Sequence, residues 1–221
     1  MYKNFLKPLF DRFLALIATV ILFIPMLLIA VLIYLDDPGP VLFKQRRVGK
    51  SKSGQVQYFN LFKFRTMKMC TPHDTPTHLL ENPDFYITRI GRFLRKTSLD
   101  EIVQIPFNIL TGQMSIVGPR PALWNQDDLV AEREKYGAND VYPGLTGWAQ
   151  INGRDELEIP VKAKLDGEYA YALNCGKFRG LLMDIKCFFG TVISVLKSEG
   201  VVEGAVAASE KIDKDQEAKI K

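Results

Sequence analysis

Twenty-three consecutive residues without a charge, Phe13 to Leu35, limit the fold more than any other feature of the chain. As a helix rising about 1.5 Å per residue, such a run crosses a hydrocarbon core of about 30 Å. No polar face interrupts it, which argues against a buried helix of a soluble domain. It is too long for a secretory leader, and no small-residue cleavage site ends it. Pro25 stands at its centre. There it removes one helical hydrogen bond and collides with the preceding turn. Two shapes follow: a kinked helix that spans the bilayer, or a helix that bends midway and returns to the face it entered. Basic residues flank both ends, with Lys3, Lys7 and Arg12 before the run and Lys44 through Lys52 after it. Positive residues favour the cytoplasmic side, and a returning helix leaves both sets there.

The rest of the 221 residues suffice for one domain of ordinary size. From Pro38 to His73 there is no Asp or Glu, while Lys44, Arg46, Arg47, Lys50, Lys52, Lys63, Arg65 and Lys68 fall within it. Such a block suits anionic lipid or a phosphorylated substrate. Nucleic acid is the rival partner, but no helix-turn-helix, zinc-finger or RNA-recognition signature accompanies the charge. Cys70, Cys175 and Cys187 are too few and too scattered for a disulfide framework or a zinc site, and they fit a reducing compartment. His73 and His78 lie in a Thr/Pro-rich loop and read as solvated.

Asp36-Asp37-Pro38-Gly39-Pro40 ends the apolar helix. Val41 to Val48 and Val56 to Met67 read as strands joined by a turn over Gly49 to Gly54. Phe85 to Leu94 reads as a short helix leading to Ser98. Glu101 to Leu110 continues as a helix disturbed by Pro106, and Pro121 to Tyr136 as an exposed polar helix. Ile159 to Ala172 and Leu181 to Lys197 read as helices. The apolar face of the second would suit a membrane surface or a core equally. Ala205 to Lys221 is a charged tail; its Asp213-Lys214-Asp215 spells a metal-binding motif of glycosyltransferases but reads as a solvated run.

The chemistry is concentrated between Arg89 and Pro121. Asp100 and Glu101 are adjacent, preceded by Arg89, Arg92, Arg95 and Lys96 and followed by Arg120. Ser98-Leu99-Asp100-Glu101 is also a capping box, which a helix start uses with no catalysis at all. The two readings are compatible, because a helix N-terminus keeps a carboxylate ionised and gathers phosphates. Two acids among fixed cations are what phosphoryl chemistry needs: a carboxylate can attack phosphorus or hold a cation, and the bases neutralise phosphate oxygens.

In order along the chain stand Asp37-Pro38-Gly39-Pro40-Val41-Leu42-Phe43-Lys44-Gln45-Arg46-Arg47-Val48-Gly49, Lys63-Phe64-Arg65-Thr66-Met67 and Thr88-Arg89-Ile90-Gly91-Arg92-Phe93-Leu94-Arg95. Ser98-Leu99-Asp100-Glu101, Met114-Ser115-Ile116-Val117-Gly118-Pro119-Arg120-Pro121, Pro143-Gly144-Leu145-Thr146-Gly147 and Gln150-Ile151-Asn152-Gly153-Arg154 follow. With the Lys7/Asp11 lead and Pro25, this ordered set resembles the bacterial monotopic phosphoglycosyl transferases over nearly the whole chain to about Gly204. The resemblance implies transfer of a sugar-1-phosphate from a UDP-sugar to polyprenyl phosphate, the first membrane step of surface glycan assembly. It implies Asp100 as nucleophile with Glu101 as its partner, Mg²⁺ at the same two carboxylates, and Lys63, Arg65, Arg95, Arg120 and Arg154 on substrate phosphates.

The fold so implied is α+β, mostly α. A re-entrant membrane helix broken at Pro25 (1–37) precedes a small membrane-associated catalytic domain with a short β-hairpin (38–204) and a tail (205–221). The enzyme would lie on the cytoplasmic face of a bacterial inner membrane. Its partners would be the UDP-sugar, polyprenyl phosphate and the phospholipid bilayer, without nucleic acid, and beyond these a second copy or downstream glycosyltransferases. Two departures stand out. The family's proline two residues after the glutamate is here Val103, with the proline displaced to Pro106, and the stretch to Met114 is one residue longer, an insertion that a π-bulge would absorb. Gln113 stands where an acid is common, which removes it from any metal site. Two other classes remain open: a non-catalytic membrane adaptor binding anionic lipid or partner enzymes, and a nucleotide-sugar glycosyltransferase releasing UDP.

Overall fold

The computed structural model describes residues 2–71, 83–153 and 157–197. It is mostly helical, with a long apolar N-terminal helix and two small two-stranded sheets. A π-helical turn, Tyr2–Leu6, leads into helix α1, Lys7–Asp36, which stays helical through Pro25 as a single element. Strands β1, Leu42–Val48, and β2, Tyr58–Phe64, form the expected antiparallel hairpin, with Leu42 opposite Phe64 and Val48 opposite Tyr58. Helices α2, Pro83–Tyr86, and α3, Arg89–Thr97, come next. Then follow β3, Ser115–Val117, α4, Asp127–Glu134, β4, Gly144–Thr146, and α5, Trp148–Ile151. Helices α6, Ile159–Asn174, and α7, Lys177–Lys197, complete the body.

Helix α1 touches the body by two feet. At the first, Ala15 is buried with Leu61, Ile109 and Met114. At the second, Ile33 is buried with Phe64, Leu94 and Val103. Between them Val20, Ile21, Phe23 and Ile24 are 71%, 68%, 61% and 67% exposed. Both feet are locked by polar contacts. At the C-terminal end, Asp36 accepts from the Ile90 amide (3.0 Å), and Asp37 accepts from Arg65 and from the Met69 amide (2.8 Å). At the N-terminal end, Lys7 and the Tyr2 hydroxyl meet Asp184 of α7 at 2.9 and 2.5 Å, and Ser115 donates to Asp11. Tyr169 of α6 places its hydroxyl 2.7 Å from Asp184 and 2.8 Å from the Val117 carbonyl. Residues far apart in sequence thus fix where the apolar helix leaves the body.

Two expectations are corrected between Ser98 and Leu110. Ser98 makes no capping bond with its side chain; it ends α3 in the left-handed conformation (φ 56°) and starts a 3₁₀ turn, Leu99–Glu101. No regular helix follows. Ile105–Ile109 is a π turn with Pro106 in its first turn, closed by the Leu110 amide on the Ile105 carbonyl (3.0 Å). An i→i+5 bond holds one residue more per turn than an α-helix does, so this turn carries one residue beyond a regular helix. Asn108, fully buried, anchors that turn to the hairpin. It accepts from the Phe62 amide (3.1 Å) and donates to the Asn60 carbonyl (2.8 Å), replacing a strand along the outer edge of β2.

Helix α3 lies so close to the exit of β2 that only glycine fits at position 91. A Cβ there would stand 2.1 Å from the Thr66 carbonyl oxygen, a backbone atom that cannot swing away. Gly91→Ala is therefore expected to lower stability by about 1–3 kcal/mol, the usual cost of overpacking. Thermal unfolding in detergent reads this; an unchanged melting temperature would contradict the close approach.

Candidate active site

The reversal at Ser98 turns Asp100 and Glu101 back against β2. Thr88 caps the start of α3 by accepting from the Gly91 amide (2.9 Å), and Leu94 of the same helix is buried against Phe64 and Val103. The helix is thus fixed at both ends before the chain turns. On β2, Lys63 points its ammonium at the pair, 2.7 Å from Glu101 Oε1 and 3.9 Å from Asp100 Oδ2. Arg120 reaches Glu101 from the other side, with Nη2 2.9 Å from Oε1 and Nη1 3.5 Å from Oε2.

The two neighbouring carboxylates therefore differ. Burial disfavours ionisation of Glu101, but Arg120 and Lys63 outweigh it and hold its pKa well below the usual carboxylate range. Asp100 is pushed upward, first by burial and further by the charge of Glu101, with Lys63 and Arg95 pulling back. Glu101 is a fixed anion saturated by two cations. Asp100 is a buried carboxylate with its nearest ammonium beyond hydrogen-bonding distance, so its oxygens remain available to an electrophile or a cation. Among the described residues no group of three or more His, Cys, Asp or Glu comes together. Any metal held here would take most of its ligands from elsewhere.

Arg120 is aimed by a pair of strands that the sequence did not disclose. β3 and β4 lie parallel, Ser115 opposite Gly144 and Val117 opposite Thr146. The Gly118 amide donates to the Thr146 carbonyl (2.8 Å), and the Gly144 amide to the Pro119 carbonyl (2.9 Å). A Cβ on Gly144 would stand 2.1 Å from the Gly118 nitrogen, which explains a glycine there. The Arg120 carbonyl then accepts from Arg133 Nη2 (2.9 Å), and Arg133 is itself held by Asp166 at 2.8 and 2.6 Å. Arg133 and Asp166 are 4% and 1% exposed, so this pair lies inside the body, between α4 and α6. A cleft with about 200 Å³ of empty space, counting its mouth, opens beside Glu101 between Arg47, Gln104 and Arg120.

Of the residues expected at the site, Asp100, Glu101, Lys63 and Arg120 come together. Arg95 stands beside them, its Nε donating to Thr66 (2.9 Å) and its charge acting on Asp100. Arg65 is placed elsewhere: it clamps the side chain and carbonyl of Asp37 at the base of α1. Gln113 accepts from Asn108 (2.9 Å) in the anchor of the π turn. Arg154, His73, His78 and the Asp213-Lys214-Asp215 motif lie outside the described residues. Sequence reasoning missed Arg133 and Asp166, which sit in helices of ordinary polar pattern 33 positions apart. No local signal could have paired them.

Comparison with known proteins adds to this geometry. A family model described as "Bacterial sugar transferase" matches residues 2–198. The chain is 41% identical, over 86% of its length, to a Xanthomonas campestris pv. campestris protein named UDP-glucose:undecaprenyl-phosphate glucose-1-phosphate transferase, of which it spans 38%. It is 38% identical to "Exopolysaccharide production protein PSS" of Rhizobium leguminosarum bv. phaseoli, over 86% of this chain and 95% of that protein. It is 34% identical to a UDP-N-acetylgalactosamine-undecaprenyl-phosphate N-acetylgalactosaminephosphotransferase of Aeromonas hydrophila, over 89% of this chain and 45% of that protein. The chain thus spans less than half of two of these relatives and nearly all of the third.

The buried pair behind Arg120 makes its own prediction. Asp166→Asn leaves Arg133 buried without its anion and is expected to cost about 3–5 kcal/mol of stability. Arg133→Met combined with Asp166→Leu removes both charges and should recover most of that loss. Unfolding midpoints in detergent compare the variants; a single substitution as mild as the double one would contradict the pairing.

Proposed function

The chain belongs to the bacterial sugar transferase family, and we propose that it moves a sugar-1-phosphate from a UDP-sugar to polyprenyl phosphate with release of UMP. The observation that carries this reading is the unequal pair: Glu101 neutralised by Lys63 and Arg120, Asp100 buried beside it with its oxygens available. The names of the relatives from Xanthomonas and Aeromonas support a UDP-sugar donor and an undecaprenyl phosphate acceptor.

In this mechanism an Asp100 oxygen attacks the sugar-bearing phosphorus of the UDP-sugar. A bond forms from carboxylate to phosphorus, the bond from phosphorus to the bridging oxygen breaks, and UMP leaves with that oxygen. The product is a phosphosugar-aspartate. A phosphate oxygen of polyprenyl phosphate then attacks the same phosphorus, breaks the acyl phosphate, and frees Asp100 and a polyprenyl diphosphate sugar. Both steps bring anions together, so fixed cations must stabilise the charge that builds on the phosphate oxygens. Lys63, Arg95 and Arg120 stand where they can do so, and Glu101 holds Lys63 and Arg120 in place. Arg65 serves the helix instead, through Asp37.

The donor set also fits Mg²⁺, which takes few carboxylates and completes its shell with substrate phosphates and water. Asp100 would hold it, with Glu101 adjacent and already bound to its two cations; when bound, the ion supplies further neutralisation of the diphosphate.

The membrane reading rests on the two feet of α1. Eighteen residues separate Ala15 from Ile33, about 27 Å along a straight helix. Leu61 and Phe64, buried in the same two clusters, are three residues apart on one strand, about 10 Å. A bend near Pro25 reconciles these lengths and lets both arms return to one body. The apolar apex then enters the bilayer while Lys3 and Lys44 stay on the cytoplasmic face. Helix α7 supports the same placement: Phe178, Leu182, Ile185, Phe189 and Ile193 are exposed along one side. The carboxylates would thus face a lipid substrate that cannot leave the membrane.

Three outcomes are expected. Intact mass spectrometry of the wild type incubated with a panel of UDP-sugars should find a phosphosugar adduct with one of them, with matching UMP release. Asp100→Asn should give neither while melting like the wild type; turnover by that variant, or release of UDP, would overturn the mechanism. Excess EDTA should abolish UMP release and Mg²⁺ restore it, whereas full activity in the chelator would remove the metal from the scheme. Lys3→Cys and Lys52→Cys in a cysteine-free background should both resist an impermeant maleimide in spheroplasts. Labelling of Lys3→Cys alone would show that the helix crosses the membrane.

A further inference from the structure

A second cationic cleft lies at the N-terminal foot of α1 and shares no lining residue with the cleft beside Glu101. Lys3, Lys7, Arg12 and Lys50 border it, and it holds about 500 Å³ of empty space counting its open mouth. Among the described residues one acid, Asp11, lines it. That carboxylate is already engaged by Ser115 and by Lys7 at 3.6 Å, and Lys7 is closer still to Asp184, at 2.9 Å. Lys7 is thus committed to two carboxylates, Asp11 and Asp184. Among the described residues, Lys3, Arg12 and Lys50 enter neither of these ion pairs.

The three are poorly served within the protein. Lys3 donates to the Asn174 side chain at 2.9 Å. Burial lowers its pKa and Lys50 lowers it further, with Asp140 offsetting part of this. Lys50 lies over the Tyr142 ring, 4.7 Å from its centre. Arg12 rests against Gly112, so closely that a Cβ there would stand 2.3 Å from its Nη2; among the described residues it makes no hydrogen bond or ion pair. Repelling cations around a cavity are relieved by an anion. The floor between them is apolar, formed by Pro8, Met114, Val141 and Leu173.

Position identifies the anion. Arg12 immediately precedes the uncharged run, and Leu9, Phe10 and Phe13 around it are exposed. The cleft therefore stands where the apolar arm begins, at the depth of headgroup phosphates if that arm is in the bilayer. We propose that it binds a phosphate group, carried by an anionic phospholipid or free in solution, at a site separate from the carboxylate pair. The membrane depth rests on the proposed placement of α1, but the anion site does not rest on the proposed chemistry.

The test uses the full chain in detergent and native mass spectrometry. Dioleoyl phosphatidylglycerol, dioleoyl phosphatidylcholine and inorganic phosphate are added separately at equal concentration. The wild type should retain one phosphatidylglycerol in preference to phosphatidylcholine, or one inorganic phosphate, and the arm that binds identifies the source. Arg12→Gln combined with Lys50→Gln removes two solvent-facing charges and should weaken that adduct about tenfold or more. Lys135→Gln, a charge change at an ion pair outside the cleft lining, should leave it intact. Equal retention by wild type and the double variant, or no preferred adduct in any arm, would overturn the proposal. Because the readout is binding alone, its failure would leave the transferase mechanism untouched, and loss of UMP release would leave this site untouched.

Discussion

Glu101 accepts from Lys63 on the hairpin and from Arg120 on the loop after β3, and through it two otherwise separate pieces of backbone converge on one point. Burying three charges is expensive, and such networks seldom stabilise a protein in net terms. What this one provides is division of labour between neighbours. Had the two cations been shared evenly, both carboxylates would be weakly basic and both would be occupied. Concentrating them on Glu101 leaves Asp100 the more basic of the pair, with Lys63 no nearer than 3.9 Å, which suits an attacking carboxylate. The cations also lie within reach of whatever phosphate approaches Asp100, so the groups that orient the dyad can serve the substrate.

A similar arrangement secures the long apolar helix α1. Asp184 of α7 gathers Tyr2, Lys7 and Tyr169, while Asp37 gathers Arg65 and the Met69 amide. Each acid is approached by donors from a part of the chain far from it in sequence. An apolar arm without such ties would be free to leave the body and align with lipid. Tied at both ends, it keeps one position on the body that carries the carboxylates.

Much of this was legible in the sequence because it rests on local signals. The uncharged run, the Asp-Asp-Pro-Gly-Pro breaker, the hairpin and the long C-terminal helices follow from periodicity and turn residues. The group of Asp100, Glu101, Lys63 and Arg120 followed from ordered motifs. The Ser98 cap did not form, because Glu101 is drawn to Lys63 and Arg120 and the left-handed turn at Ser98 serves that end. Arg65 read as one more cation of the basic block; only the fold reveals that Asp37, 28 positions earlier, takes it. The parallel pair β3–β4 was invisible because three residues are too few to show a period. Its glycines are explained by backbone approaching backbone.

The π turn shows how such a site can accommodate an added residue. An extra residue between Glu101 and Met114 would, in a regular helix, rotate everything beyond it by about 100°. Here the surplus is taken up inside the π turn Ile105–Ile109, and Asn108 pins that turn to Asn60 and Phe62 of β2. Upstream, the dyad is already fixed by Lys63 on that same strand. Downstream, Met114 is buried beside Leu61 of it, and β3 begins at the next residue. Because both sides of the π turn are referenced to one strand, slack within it cannot travel to the carboxylates or to Arg120.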